Sequence, residues 1–247
     1  PRFWFDTADR VSSYLGFHLG HTHYFVQYFG EGMINPPFPI HYPWVMTLVT
    51  VPATILVAAG LGFVYSGLLW DPVDWARRWW RSAAERRRPE RHAGDPRGTA
   101  LLLFINLVFP IALISVPSTP IFGGTKHWMP AMPFLAMFTG AGVTLGWQLV
   151  RDEVAGRAVA AATAVALSLA VLGPAAYATA KIHPFGISYY NEAIGSIRGA
   201  ADHRMFRQFW GYTARQALPW LNDHAPKGAG VDTHNTTGFA WRRYTRE

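Results

Sequence analysis

The residues best suited to chemistry are Lys126 and His127, the strongly polar pair in the stretch PSTPIFGGTKHWMPAMP at 117–133. Prolines at 117, 120, 130 and 133 stiffen both ends of that stretch, and Gly123 and Gly124 free the backbone just before the pair. A cationic side chain held on a constrained loop at a membrane edge suits a lipid-borne phosphate, because lysine binds phosphate as a point charge. The competing reading makes Lys126, His127 and Trp128 an interfacial belt that anchors helix ends. His18, His21 and His23 are metal-type ligands. No carboxylate stands beside them at a suitable spacing, so they read as interfacial histidines and neither a metal nor a cofactor is expected.

What must position the 117–133 stretch is a set of apolar runs. Of the 247 residues 50% are hydrophobic and 15% charged, and the apolar ones are clustered. Four runs, 44–70, 99–116, 131–150 and 158–180, exceed or approach the roughly 18 residues that a spanning helix needs. The expected fold is therefore an α-helical polytopic membrane protein with about four spans. Pro52 marks a kink in the first span. Asn106 in the second is expected to bond a neighbouring helix, and Gly142 and Gly146 in the third form a G-x-x-x-G pair suited to close packing.

Charge orients the expected bundle. Eight of the 22 lysines and arginines fall in the link 71–98, where the positive-inside rule expects cytoplasm. That places 1–43, 117–130 and the tail 181–247 on the outer face. The net charge of +7 is thus read as topology. Nucleic acid is excluded because no recognition motif or stacking platform accompanies the basic run. With no cysteine, redox compartment is unreadable. The segment 12–29 is expected to form an amphipathic interfacial helix, and PPFPIHYP delivers His41 and Tyr42 to the mouth of the first span. In the tail, 206–222 reads as a helix and 227–230 as a turn into a strand, the start of an outer α/β unit cut short.

Three stretches together, PFPIHYPWVMTLVTVP, FGGTKHWMPAMPFLAMFTG and HPFGISYYNEAIGSIRGA with the downstream FWGYTARQALPWLNDHAPKGA, resemble the carboxy-terminal half of bacterial glycosyltransferases of the C-type fold, the protein O-mannosyltransferase and lipid A aminoarabinose transferase group. The resemblance implies sugar transfer from a polyprenyl-phosphate donor at the outer face of the bacterial inner membrane. Lys126 and His127 then become candidates for contacting donor phosphate or acceptor, with His41, Tyr42, Tyr190 and Glu192 on the same face. Tyr189 and Asn191 share that neighbourhood, and packing at the membrane surface explains these residues equally well.

The family's catalytic acidic loop has no counterpart here, since Asp6 and Asp9 in FWFDTADR, Glu31 and Glu192 are poor substitutes. The chain, which opens on Pro1, is therefore expected to be a piece of a longer protein and inactive alone. Its expected partners are membrane lipid and the polyprenyl-phosphate donor; no protein partner can be named. A noncatalytic membrane scaffold that docks a partner is the alternative. Ionisable groups near the bilayer midplane, which transporters use, are absent from the four runs.

Overall fold

The structure, a computed structural model, describes residues 6–19, 23–67, 96–121, 123–151, 156–207, 209 and 214–230. The expected link at 71–95, His21 and the expected strand beyond 230 lie outside these residues, as does the side chain of His18.

The chain opens with helix α1, Thr7–Leu19. Where an interfacial helix through residue 29 was expected, the backbone instead forms a hairpin of β1, Val26–Tyr28, and β2, Glu31–Met33. Its register pairs Val26 with Met33 and Tyr28 with Glu31. The two turn residues Phe29 and Gly30 both have positive φ, the twist that suits a two-residue hairpin. Val26 and Tyr28 point inward and are buried, so the alternating face, not a helical stripe, decides the local structure.

The run expected as one kinked span is two helices, α2, Tyr42–Thr50, and α3, Ala53–Tyr65, bent by 113°. The cause is Pro52. Val51 before it is forced into extended backbone (φ −94°, ψ 136°), and the missing N–H leaves Leu48's carbonyl without its helical donor. Helix α4, Pro96–Ile114, follows. Its Asn106 amide donates to the Leu102 carbonyl one turn back at 2.8 Å, and so bonds its own helix where a neighbouring one was expected. In the 117–133 stretch a 3-10 segment, Gly124–Ala131, kinked at Trp128, runs directly into α5, Met132–Arg151. Helix α6, Arg157–Ile182, is the longest at 26 residues. After it come short 3-10 turns at Gly186–Ser188 and Glu192–Ile194, helix α7, Ser196–Asp202, and helix α8, Ala214–His224. Of the helix expected at 206–222, Phe206 and Arg207 are not helical, 208 and 210–213 lie outside the described residues, and Ala214–His224 is helical.

Among the described residues the fold is thus mostly helical with one small sheet. Among the described residues two helical stretches, Gly124–Arg151 and Arg157–Ile182, are long and apolar enough to cross a membrane, and α2 with α3 would be a third if the bent pair counts as one. The apolar stretch Gly98–Ile114 is shorter than the roughly 18 residues a spanning helix needs.

Two packing regimes coexist. In the helical layer, α3 and α5 make the most extensive contact, and they do so backbone to backbone. A Cβ on Gly62 would lie 1.8 Å from the Phe138 carbonyl oxygen, and one on Gly142 would lie 1.9 Å from that of Ala58. Gly142 therefore faces α3, whereas Gly146 faces Leu167 of α6 at 3.7 Å, so the expected G-x-x-x-G pair serves two neighbours. Hydroxyl and indole groups stitch the layer: Thr54 donates to the Val171 carbonyl at 2.7 Å, and Trp147 Nε1 to that of Ala160 at 3.0 Å. Helix α6 has no buried residue.

The other regime is an aromatic core in which Tyr28, Tyr42, Trp128, Tyr190 and Phe209 pack together with Met46, Ile121 and Met205. The N-terminal hairpin, the 3-10 helix and the post-α6 segment all contribute. Main-chain bonds tie them: Phe38 N–H donates to the Pro117 carbonyl at 2.8 Å, and Phe206 N–H to that of Gln27 at 3.0 Å.

Candidate functional site

Around this core the backbone shapes a cavity of about 280 Å³. One wall is the last turn of α2, with Met46 and Thr50; another is the start of the 3-10 helix, with Thr125, Lys126 and Met129; Ile187 and Tyr189 follow from the post-α6 turn. Gly124, at φ +65°, lets the loop lie on the Phe209 ring, which a Cβ there would meet at 3.4 Å.

The polar groups of this cavity are few. Lys126 is half-buried in its wall. The Tyr189 hydroxyl is buried and has no hydrogen-bond partner among the described residues. Burial first, and the nearby Glu192 carboxylate second, push that hydroxyl's pKa up, so it stays a neutral O–H donor. Thr50 directs its own proton to the Met46 carbonyl at 2.6 Å, leaving its oxygen lone pairs as acceptors. Among the described lining residues there is no carboxylate. A cation and an unspent O–H donor between apolar walls suit an oxyanion attached to an apolar chain. The cavity can hold such a group, and no carboxylate base stands among its described lining residues.

The candidate residues separate into three environments. Lys126 lines the cavity, and Glu192, exposed on the surface, adjoins it through Tyr189. His127 is half-buried on the same 3-10 helix but is not among the cavity-lining residues. His41 is exposed, immediately before α2, with its ring 5.5 Å from that of Tyr28.

Tyr42 and Tyr190 are core residues, 1% and 2% exposed. Tyr42 stands edge-on to Trp128 with centroids 6.2 Å apart. The Tyr190 hydroxyl donates to the Phe206 carbonyl at 2.7 Å, and burial raises its pKa against the opposing pull of Arg207. Tyr28, beneath the same cluster, has its pKa raised by burial to about 12. Trp128 is fully buried, and its indole N–H donates to Thr47 Oγ1 at 2.8 Å, which removes it from any interfacial belt. His23 packs on Phe38, with centroids 5.4 Å apart. No group of three or more metal-type side chains occurs among the described residues.

Asn191 has a structural role that its outer-face placement did not suggest. It is fully buried, and its side-chain amide donates to the carbonyls of Leu48 and Val51, both at 2.7 Å. Its main-chain N–H donates to the Val49 carbonyl at 2.8 Å. These are carbonyls at the break before Pro52, so Asn191 replaces the donors that the bend removes. The signal was available: Pro52 guarantees an orphan carbonyl, and an Asn in an apolar setting supplies the needed donors. Only the pairing, across 143 residues for Leu48, could not be read.

No family model, curated protein or solved structure matches the chain.

Proposed function

We propose that the chain is part of a polytopic membrane glycosyltransferase that takes a sugar from a polyprenyl-phosphate donor. The observation that carries this reading is the pairing of Lys126 with the unpartnered Tyr189 hydroxyl in one apolar-walled cavity. Both groups favour the charge of a phosphate, and Met46, Met129, Ile187 and Phe209 supply the apolar surface that the first isoprene units would cover.

In the reaction the bond between the sugar's anomeric carbon and the donor phosphate oxygen breaks, and a bond to an acceptor hydroxyl forms. The hydroxyl proton passes to a carboxylate, which the resemblance assigns to the family's first outer loop. The cavity's part is to hold the departing phosphate and its growing charge. In this reading α2 with α3, α4, α5 and α6 are four spans of a bacterial inner-membrane protein. The hairpin, the 3-10 helix and the post-α6 segment then face outside together, with His41, His127 and Glu192 around the entrance.

Calorimetric titration of the detergent-solubilised chain with a polyprenyl phosphate tests the reading. Lys126→Ala with His127→Ala is expected to weaken binding by about tenfold or more, the scale of losing a charge-assisted contact, while Lys227→Ala has no effect. Unchanged affinity in the double variant removes the phosphate role and leaves the noncatalytic scaffold.

A further inference from the structure

A second cavity, of about 760 Å³, lies where the end of α6 meets β1 and the 205–207 segment. Its volume is that of a small-molecule site. Lys181, His183 and Arg207 line it, and no Asp or Glu does so among the described residues. Two basic side chains and an imidazole therefore share one concavity whose described lining carries no acidic counter-charge, an arrangement that an anion relieves.

The Arg207 backbone is firmly placed. Its carbonyl accepts the Ser188 hydroxyl, and the preceding Phe206 is bonded through both its N–H, to Gln27, and its carbonyl, from Tyr190. The side chain itself is exposed. Lys181 stands in the last turn of α6 with its ammonium 5.8 Å from the centroid of the exposed Tyr177 ring.

Depth follows from helix length. The 26 residues of α6 extend about 39 Å at a 1.5 Å rise per residue. A bilayer with its headgroups is about 40–45 Å thick. Because α6 is apolar and has no buried residue, a membrane-crossing α6 carries Lys181 to headgroup level, beside a tyrosine of the kind that favours that interface.

We propose that this cavity binds the phosphate ester of an anionic phospholipid headgroup, with Arg207 and Lys181 as its cationic ligands and His183 beside them. Arginine offers paired N–H donors that match two phosphate oxygens, and Lys181 adds a point charge. The lining residues are distinct from those of the Lys126 cavity, and occupancy does not depend on sugar transfer.

The test is native mass spectrometry of the full chain in detergent, titrated with phosphatidylglycerol or with phosphatidylcholine of the same acyl chains. Preferential retention of phosphatidylglycerol is expected, with apparent affinity falling about tenfold in the Lys181→Gln, Arg207→Gln double variant. Lys227→Gln, elsewhere on the surface, should leave retention unchanged. Circular dichroism melting confirms that each variant is folded, and Arg207→Glu provides a stronger second perturbation should the double variant unfold.

A parallel titration with glycerol phosphate separates the two sources of a phosphate ester. If glycerol phosphate displaces the lipid from the wild type but not from the variants, the phosphate chemistry stands and the natural ligand is soluble. Failure to displace it identifies the lipid. Equal retention of the two lipids, or retention indifferent to both Arg207 variants, overturns the proposal. None of these readouts uses a polyprenyl donor, so this site can fail while the Lys126 cavity stands.

Discussion

The aromatic core and the helical layer are built from the same chain by opposite means. In the core, large side chains fill space and their polar atoms are mostly bonded: Trp128 to Thr47, Tyr190 to Phe206, Asn191 to three carbonyls. In the layer, α3 and α5 touch through Gly62 and Gly142, and α6 leaves Val165, Leu169 and Leu172 more than half exposed. The first pattern is how a protein excludes water. The second is how helices associate where the surroundings are as apolar as their own side chains, so that close backbone approach, not side-chain burial, decides contact.

The contrast predicts a ranking of substitutions. The largest effect should come from Gly142→Leu, because its Cβ alone would collide with the Ala58 carbonyl and the two backbones have no flexible atom to move. A loss of more than about 3 kcal/mol, or failure to fold, is expected in detergent unfolding. A stable Gly142→Leu protein would mean that α3 and α5 do not meet in this way.

Asn191→Leu should follow, at about 2–4 kcal/mol, since it leaves the partly buried Leu48 and Val51 carbonyls without their side-chain donor. Hydrogen exchange should rise first at Ala53–Tyr65, the helix that the broken turn launches. Protection spread evenly over the chain would show instead that the break is held by the core as a whole.

The smallest effect belongs to Leu169→Ala on α6. That side chain is 64% exposed, so the change should stay within about 0.5 kcal/mol. A loss of 2 kcal/mol or more would reveal that α6 is covered by protein, and would turn the lipid-facing reading of its surface into an interface between subunits.

How much was legible follows the same divide. The apolar runs at 131–150 and 158–180 match α5 and α6 closely, because a long unbroken run leaves little alternative to a helix once its length is right. Pro52 announced a distortion, but its size, two helices at 113°, depends on donors that arrive from Asn191 far along the chain. Of the stretch 12–29, residues 12–19 are helical as expected, and only the part around β1 misled, because aromatic residues at near-helical spacing also alternate and the positive-φ turn at Phe29–Gly30 selects the strand.

Of the site, Lys126 was marked by its own loop chemistry. Tyr42, Tyr190 and Trp128 were not distinguishable from surface aromatics, since an amphipathic ring suits either a membrane interface or a core, and only the folded contacts decide. Tyr189 and Tyr190 make the point sharply: adjacent and chemically identical, one leaves its hydroxyl unpartnered beside the cavity and the other spends it on Phe206.

The Asn191 clamp also has a timing consequence. The carbonyls it satisfies belong to the turn after α2, yet Val51 and Asn191 are 140 residues apart in the chain. At ribosomal speeds of about 5–20 residues per second, that interval lasts on the order of ten seconds. During it the nascent turn has no native donor, so water must solvate it, and α2 and α3 can reorient about Pro52. Only when the segment after α6 emerges does the elbow close, so a bend made early in the described chain becomes permanent only after about 140 further residues.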